Sequence, residues 1–141
     1  MSNDSVRALV IRVIKDIFHA KKLELVDELY SPNFVGHQIP APLPNNREGQ
    51  KQLLAYFHSV FPDLELVFED EIVEGSKLAG RGYFTGTHRG EFRGIAPTGK
   101  RVKVEFQDLW RVEGGRIAEY WGTVDYLGLL QQLGALPAPK A

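Results

Sequence analysis

One stretch of the sequence decides the fold: RIAEYWGTVD (residues 116–125), continued by YLGLLQQLG (residues 126–134). The first part alternates apolar and polar residues, as a half-buried strand does, and the second has the apolar spacing of a short amphipathic helix. Asp125 lies at the junction, on the same strand face as Trp121. Its carboxylate is therefore either the N-cap of the helix or an acid/base group at the mouth of a pocket.

The composition predicts one globular domain over residues 1–141, with a Pro-rich tail from about residue 135. The chain has no cysteine, so neither a disulfide nor a thiolate site can form. A net charge of −1 and scattered basic residues argue against nucleic acid as a partner. No apolar segment approaches the roughly 20 residues of a membrane span, and the N-terminus does not resemble a signal peptide. We therefore expect a cytoplasmic protein that does not bind membranes.

The chain changes from helical to extended patterning near Phe61. Apolar residues at helical spacing predict helices over about 5–18, 23–30 and 53–61. After an extended segment at 33–39 and a Pro-rich loop, strands are predicted over 64–73, 78–88, 101–112 and 116–124. Glycines at positions 80, 82 and 86 indicate a sharp bend or a close backbone approach. We expect an α+β fold in which the helices cover the concave side of a curved antiparallel sheet and leave an open mouth.

Three segments carry a family resemblance: FHSVFPDL (57–64), GTHRGEFRGIAPTGK (86–100) and DYLGLLQQLG (125–134). They strongly resemble the SnoaL-like polyketide cyclase family, collinearly from about Asn33 to Pro137. The resemblance implies a cone-shaped α+β barrel of the nuclear-transport-factor-2 and ketosteroid-isomerase type. It also implies a homodimer or homotetramer formed through the sheet. The same fold hosts enzymes, binding modules and adapters, so it specifies the architecture better than the function.

The chemistry that the resemblance implies is an intramolecular aldol cyclisation without metal or cofactor. The family's proton-transferring carboxylate matches Asp125, and Gln107 and His37 match positions that orient it or stabilise an oxyanion. An apolar pocket would raise the pKa of such a carboxyl group towards neutrality, where acid/base catalysis is most effective. Leu109 stands where the family has a histidine, two positions after Gln107, and this substitution makes the site more apolar.

Strand alternation adds a second candidate carboxylate. The apolar row from Val102 to Val112 places Gln107 on the opposite face of its strand unless a bulge intervenes. Asp108 lies within that row and is predicted to be buried. Because buried carboxylates are usually paired with a base, Arg81 and Arg111 are the expected partners.

The predicted ligand is a small apolar or aromatic molecule. The residues expected to bind it are Trp121, Leu109, His88, Trp110 and Phe57. The basic residues around the glycine-rich loop form either a solvated rim or an attractive surface for an anionic ligand; they are Arg89, Arg93, Lys100 and Arg101. No His-x-x-x-His or similar ligand set is present, so neither a metal nor another cofactor is predicted.

Three functions are consistent with these observations. The first is a cofactor-independent lyase, isomerase or cyclase that acts on a small apolar carbonyl compound by aldol cyclisation, isomerisation or dehydration. The second is a ligand-binding module that keeps the barrel but has lost the chemistry, which the apolar Leu109 favours. The third is an adapter that dimerises or docks a partner through the outer face of the sheet.

Overall fold

The computed structural model describes residues 2–137, so the end of the predicted Pro-rich tail lies outside the described residues. Helix α1 (Asn3–Arg12) continues as a π-helical segment (Val13–His19), and a 3-10 turn (Leu23–Leu25) leads into α2 (Val26–Leu29). Strand β1 (Tyr30–Gly36) and helix α3 (Arg47–Val60) follow. The remaining elements are β2 (Glu65–Glu74), β3 (Lys77–Thr87), β4 (Arg101–Glu113), β5 (Arg116–Val124) and α4 (Tyr126–Gln132).

Side-chain oxygens start the longer helices. Ser2 accepts a hydrogen bond from the backbone N–H of Ser5 at 3.1 Å and caps α1. Asn46 accepts from Gly49 N–H at 3.1 Å and starts α3 well before its first apolar residue, Leu53. Capping satisfies backbone donors that have no partner inside the helix. The apolar spacing therefore located only the part of α3 from Leu53 onward.

The five strands form one open sheet in the order β1-β5-β4-β3-β2. Neighbouring strands are antiparallel except at one edge, where β1 runs parallel to β5. The prediction of an α+β fold with helices on a curved, mainly antiparallel sheet is confirmed.

Glycines allow the curvature at the β2–β3 edge. The pairing shifts between Phe68 and Asp70, which leaves one extra residue in β2. Opposite this bulge, a Cβ on Gly82 would lie 1.9 Å from the carbonyl oxygen of Val67, and a Cβ on Gly80 would lie 2.5 Å from the Phe68 ring. Gly82 needs glycine because the backbone of β2 comes so close, and a side chain at Gly80 would collide with the Phe68 ring.

A second bulge determines which side chains of β5 face the helices. Arg111 pairs with Glu119 but the next residue, Val112, pairs with Ile117, so Ala118 is an extra residue in β5. Ile117 is fully buried on the inner face. Beyond Ala118, the alternation places Tyr120 opposite Trp110 and Gly122 opposite Asp108 on that same face.

The core consists of two apolar clusters on the concave face. One contains residues of α1 and β1 packed around Trp110 and Ile117. The other contains Phe61, Phe84 and Val104 packed against Leu129 of α4. No helix within residues 2–137 is both long enough and apolar enough to cross a membrane.

Candidate functional site

A cavity of about 150 Å³ lies on the concave face of the sheet, lined by residues of both apolar clusters. Most of its wall is apolar, with side chains such as Phe57 from α3 and Phe84 from β3. Its polar wall residues are Gln38, Gln50, Tyr120 and Tyr126. An apolar cavity with a few polar groups is typical of a site for a small organic molecule.

A buried carboxylate lies behind this wall. Asp108 of β4 is only 8% exposed, and its Oδ2 accepts a hydrogen bond from the Tyr120 hydroxyl at 3.2 Å. Its Oδ1 is buried without a hydrogen-bond partner among the described residues. Tyr120 itself lines the cavity, so it lies between the acid and the ligand space.

Burial raises the pKa of Asp108 from 3.8 to about 7, because the surrounding apolar side chains cannot solvate the ionised form. The Trp110 indole N–H and the Tyr120 hydroxyl oppose this shift by favouring the carboxylate. The Trp110 Nε1 atom nevertheless has no partner that meets hydrogen-bond geometry, which makes Tyr120 the better-defined donor. Burial also raises the pKa of Tyr120 well above its ordinary value, so the phenol stays protonated and can donate.

Two glutamines form a second polar feature of the cavity. Gln38 donates from Nε2 to Gln50 Oε1 at 2.9 Å, and Gln50 donates from Nε2 to the Tyr30 hydroxyl at 3.4 Å. Gln50 and Tyr30 are buried. Gln38 Oε1, the oxygen at the end of this series of hydrogen bonds, is buried without a partner among residues 2–137. Gln38 and Gln50 both line the cavity, so their amides interrupt its mostly apolar wall, but this oxygen is not itself exposed to the cavity.

The geometry thus combines an apolar cavity, a neutral phenol donor on its wall and a carboxyl group that can be protonated near neutral pH. These groups can donate a hydrogen bond to a carbonyl oxygen and supply a proton to it as negative charge develops.

Sequence and structure comparisons place the chain in a known family. The family model for SnoaL-like polyketide cyclases matches residues 8–133. The chain belongs to the SnoaL-like polyketide cyclase family. None of the curated protein sequences matches it significantly.

Several solved structures of similar proteins share the fold. TsrD from Streptomyces laurentii is 29% identical, with a TM-score of 0.86 and coverage of 96% of this chain and 99% of that chain. IdmH from Streptomyces antibioticus, described as a candidate polyketide cyclase, is 30% identical, with a TM-score of 0.80 and coverage of 92% and 98%. AclR from Streptomyces galilaeus, described as a candidate hydroxylase, is 26% identical, with a TM-score of 0.85 and coverage of 99% and 87%.

In this SnoaL-like chain, Asp125 does not line the cavity. Its Oδ1 accepts a hydrogen bond from Gly128 N–H at 2.9 Å and caps α4. The N-cap was one of the two roles that the sequence predicted for Asp125. Together with Gln107 it lines a polar groove outside the cavity. Neither Asp125 nor Gln107 therefore shares the cavity with Tyr120.

Trp121, His37 and Leu109 form an outer cluster rather than a cavity wall. The His37 ring stacks on Trp121 with centroids 4.8 Å apart, and Leu109 is the cross-strand partner of Trp121. His37 Nε2 lies 2.6 Å from Glu119 Oε2, and Arg111 donates to the other Glu119 oxygen at 3.0 Å. The hydrogen bonds from His37 and Arg111 keep the pKa of Glu119 below its ordinary value.

The other predicted ligand-binding residues have three different positions. Phe57 lines the cavity, as expected. Trp110 is 1% exposed and packs edge-on against Tyr120 in the core, behind the cavity wall. His88 is fully buried, and its Nδ1 accepts from Thr98 N–H at 3.1 Å. This contact holds the loop after β3 in place. His88 is therefore a residue of the core.

The prediction that Arg81 or Arg111 pairs with Asp108 is wrong. Arg81 pairs with Asp70 on the outer face, and Arg111 pairs with Glu113 and Glu119. Adjacent residues of a strand point to opposite faces of the sheet. Arg81 and Arg111 lie on the outer face, so neither side chain can reach Asp108 on the inner face. The partner that sequence analysis missed is Tyr120.

The structure shows no group of three or more His, Cys, Asp or Glu side chains suited to hold a metal ion within residues 2–137.

Loss of the Asp125 cap of α4 should lower the stability of the protein. This effect does not depend on any catalytic role for Asp125. We expect Asp125→Ala to lower the free energy of unfolding by about 1 kcal/mol, because the N–H of Gly128 loses its acceptor. Asp125→Asn should keep most of that stability, since asparagine is an equally good cap. Urea unfolding of the three proteins measures the difference, and an alanine variant as stable as the wild type would contradict the capping role.

The raised pKa of Asp108 should appear in the pH dependence of stability. The unfolded carboxyl group ionises near 3.8, whereas the folded one keeps its proton up to about 7. The contribution of this group to the free energy of unfolding is therefore complete below about pH 4 and falls by up to about 1.4 kcal/mol per pH unit until about pH 7. Asp108→Asn should remove this slope.

The control for this experiment is Asp70→Asn, which changes an exposed carboxylate on the outer face. Chemical unfolding of both variants and the wild type between pH 4 and 8 gives the slopes. A wild-type slope that persists in Asp108→Asn would show that another group causes it.

Proposed function

We propose that this SnoaL-like protein catalyses cofactor-independent acid/base chemistry on a small apolar carbonyl compound bound in the cavity. The observation that carries the proposal is the hydrogen bond between buried Asp108 and Tyr120 at the cavity wall. Aldol cyclisation, isomerisation and dehydration all pass through an enol or alkoxide, whose oxygen needs a proton or a hydrogen-bond donor.

In the proposed reaction, Asp108 acts as a general acid through Tyr120. The Tyr120 hydroxyl turns to donate its hydrogen bond to the carbonyl oxygen, and protonated Asp108 donates to the phenol oxygen in its place. As the carbonyl oxygen gains negative charge, the phenol proton moves to it and the Asp108 proton moves to the phenol. Water or buffer base removes the proton from the carbon next to the carbonyl. The Asp108 carboxylate then recovers a proton from solvent.

The apolar wall supports this assignment. A carbonyl compound in the cavity loses most of its contact with water, so a fixed donor has a larger effect on the charged intermediate than it would in solution.

A ligand-binding module without catalysis is the alternative function. It is favoured by one observation: Asp108 does not line the cavity, and the hydrogen bond of its carboxyl group among residues 2–137 goes to Tyr120. A protein of this kind would bind carbonyl compounds but leave their protons in place.

Deuterium exchange into 2-tetralone, followed by proton NMR in D₂O, distinguishes the two functions. We expect the wild type to exchange the protons next to the carbonyl faster than buffer alone, and the enzyme-dependent rate to fall as the pH rises through about 7, because the protonated acid is required. Asp108→Asn should lower that rate by at least about 100-fold. Tyr120→Phe should also lower it, since the relay loses its hydroxyl.

Asp125→Asn is the matched control, because it neutralises a carboxylate outside the cavity and preserves the α4 cap. It should exchange 2-tetralone at the wild-type rate. Binding without exchange by the wild type would favour the binding module. Loss of exchange in Asp125→Asn but not in Asp108→Asn would reverse our assignment of the acid.

We further propose that two copies associate through the outer face of the sheet. An apolar row crosses this face from Ile72, through Ala79 and Leu109, to Trp121, and these residues are consecutive cross-strand partners. Ile72 is 70% exposed in the single chain. Burying such a row in a symmetric interface removes apolar surface from water.

Ile72→Lys should therefore shift the protein from dimer to monomer, because the charge would be buried at the interface. Ile11→Lys is the control, since Ile11 is a 49% exposed apolar residue on α1, away from the sheet. Light scattering after size exclusion measures the mass. A wild type that remains monomeric at high concentration would rule out this dimer.

A further inference from the structure

The loop between β3 and β4 holds one arginine in an unusual conformation. Arg93 has a φ of 47°, in the left-handed region that residues other than glycine, asparagine and aspartate rarely adopt. Its backbone N–H donates to the Tyr56 hydroxyl at 3.0 Å, and Phe92 beside it is buried. The loop backbone is thereby fixed against α3 at this residue.

The Arg93 side chain lies over a ring that belongs to the cavity wall. Its guanidinium carbon is 4.4 Å from the centroid of the Tyr126 ring and 5.2 Å from that of Phe92. Tyr126 lines the cavity, whereas Arg93 is exposed. The guanidinium therefore lies on the solvent side of a residue that belongs to the cavity wall.

The charge of Arg93 is not neutralised by a neighbouring side chain. None of the salt bridges among residues 2–137 includes Arg93, although most other arginines of the sheet and of α1 have an acidic partner. A guanidinium that lies over the face of an aromatic ring keeps N–H groups free at its own edge, where they can bind a carboxylate.

We propose that Arg93 binds a carboxylate on the ligand that occupies the cavity, so that the preferred ligand is an aromatic or polycyclic carboxylic acid rather than a neutral compound. This inference rests on the proposed use of the cavity as the ligand site. Tyr126 connects the cavity with Arg93, because its side chain lines the cavity and its ring also lies under the guanidinium. The apolar body of the ligand would lie in the cavity, with its carboxylate at the Tyr126 end against Arg93.

The experiment compares 2-naphthoate with 2-acetonaphthone, which have the same rings and differ in charge. Binding of each to the full-length protein at low salt is measured by calorimetry. We expect the wild type to prefer 2-naphthoate by about tenfold or more, as a charge-assisted hydrogen bond provides. Arg93→Asn should bring the two affinities within about twofold, and asparagine tolerates the left-handed backbone at this position. Arg93→Lys should keep a preference of several-fold, since it keeps the charge.

Arg89→Asn is the control, because it removes an exposed positive charge from the same loop and leaves Tyr126 untouched. It should keep the wild-type preference. An equal loss of preference in Arg89→Asn, an unchanged preference in Arg93→Asn, or no binding of either compound to the wild type would each overturn the proposal.

The outcome is separable from that of the proposed function. A wild type that exchanges 2-tetralone but does not prefer 2-naphthoate would overturn the Arg93 assignment alone. A wild type that prefers 2-naphthoate through Arg93 but does not exchange 2-tetralone would overturn the acid relay alone.

Discussion

A single extra residue in β5, Ala118, decides which side chains reach the cavity. If the pairing of Val112 with Ile117 continued regularly along the hairpin, Trp121 would be opposite Asp108 on the inner face, and Asp125 would share that face. The bulge moves the pairing by one residue and turns every later side chain of β5 to the other side. Tyr120 then faces inward and Trp121 faces outward, so the chemical character of the cavity depends on this one insertion.

The hydrogen bond between Tyr120 and Asp108 exists because of that shift. Asp108 would otherwise be a carboxyl group in an apolar core, with neither oxygen bonded among the described residues. Desolvation favours its protonated form, and the phenol connects that proton to the cavity wall. The same burial that destabilises the folded protein at high pH thus provides an acid of suitable strength near neutrality.

Much of the fold could be predicted from the sequence, because apolar spacing, turn glycines and the family resemblance all indicate the same elements. Alternation in β4 correctly separated Gln107 from Asp108, since that strand is regular in its pairing with β3. The site in β5 could not be predicted in the same way. No residue type signals the bulge, and without it the regular pattern points to Trp121 and Asp125. The contact between Arg93 and Tyr126 joins a loop to a helix and has no periodicity to reveal it.

The chain of hydrogen bonds from Gln38 through Gln50 to Tyr30 has a direction, and this direction can be reversed. Each amide has a donor at one end and an acceptor at the other, and a phenol serves as either. Rotating both amides by half a turn keeps the two links and replaces the free oxygen of Gln38 with its NH₂ group. The two arrangements share one backbone and differ only in the polarity of one buried group, so they are alternative states of the same fold.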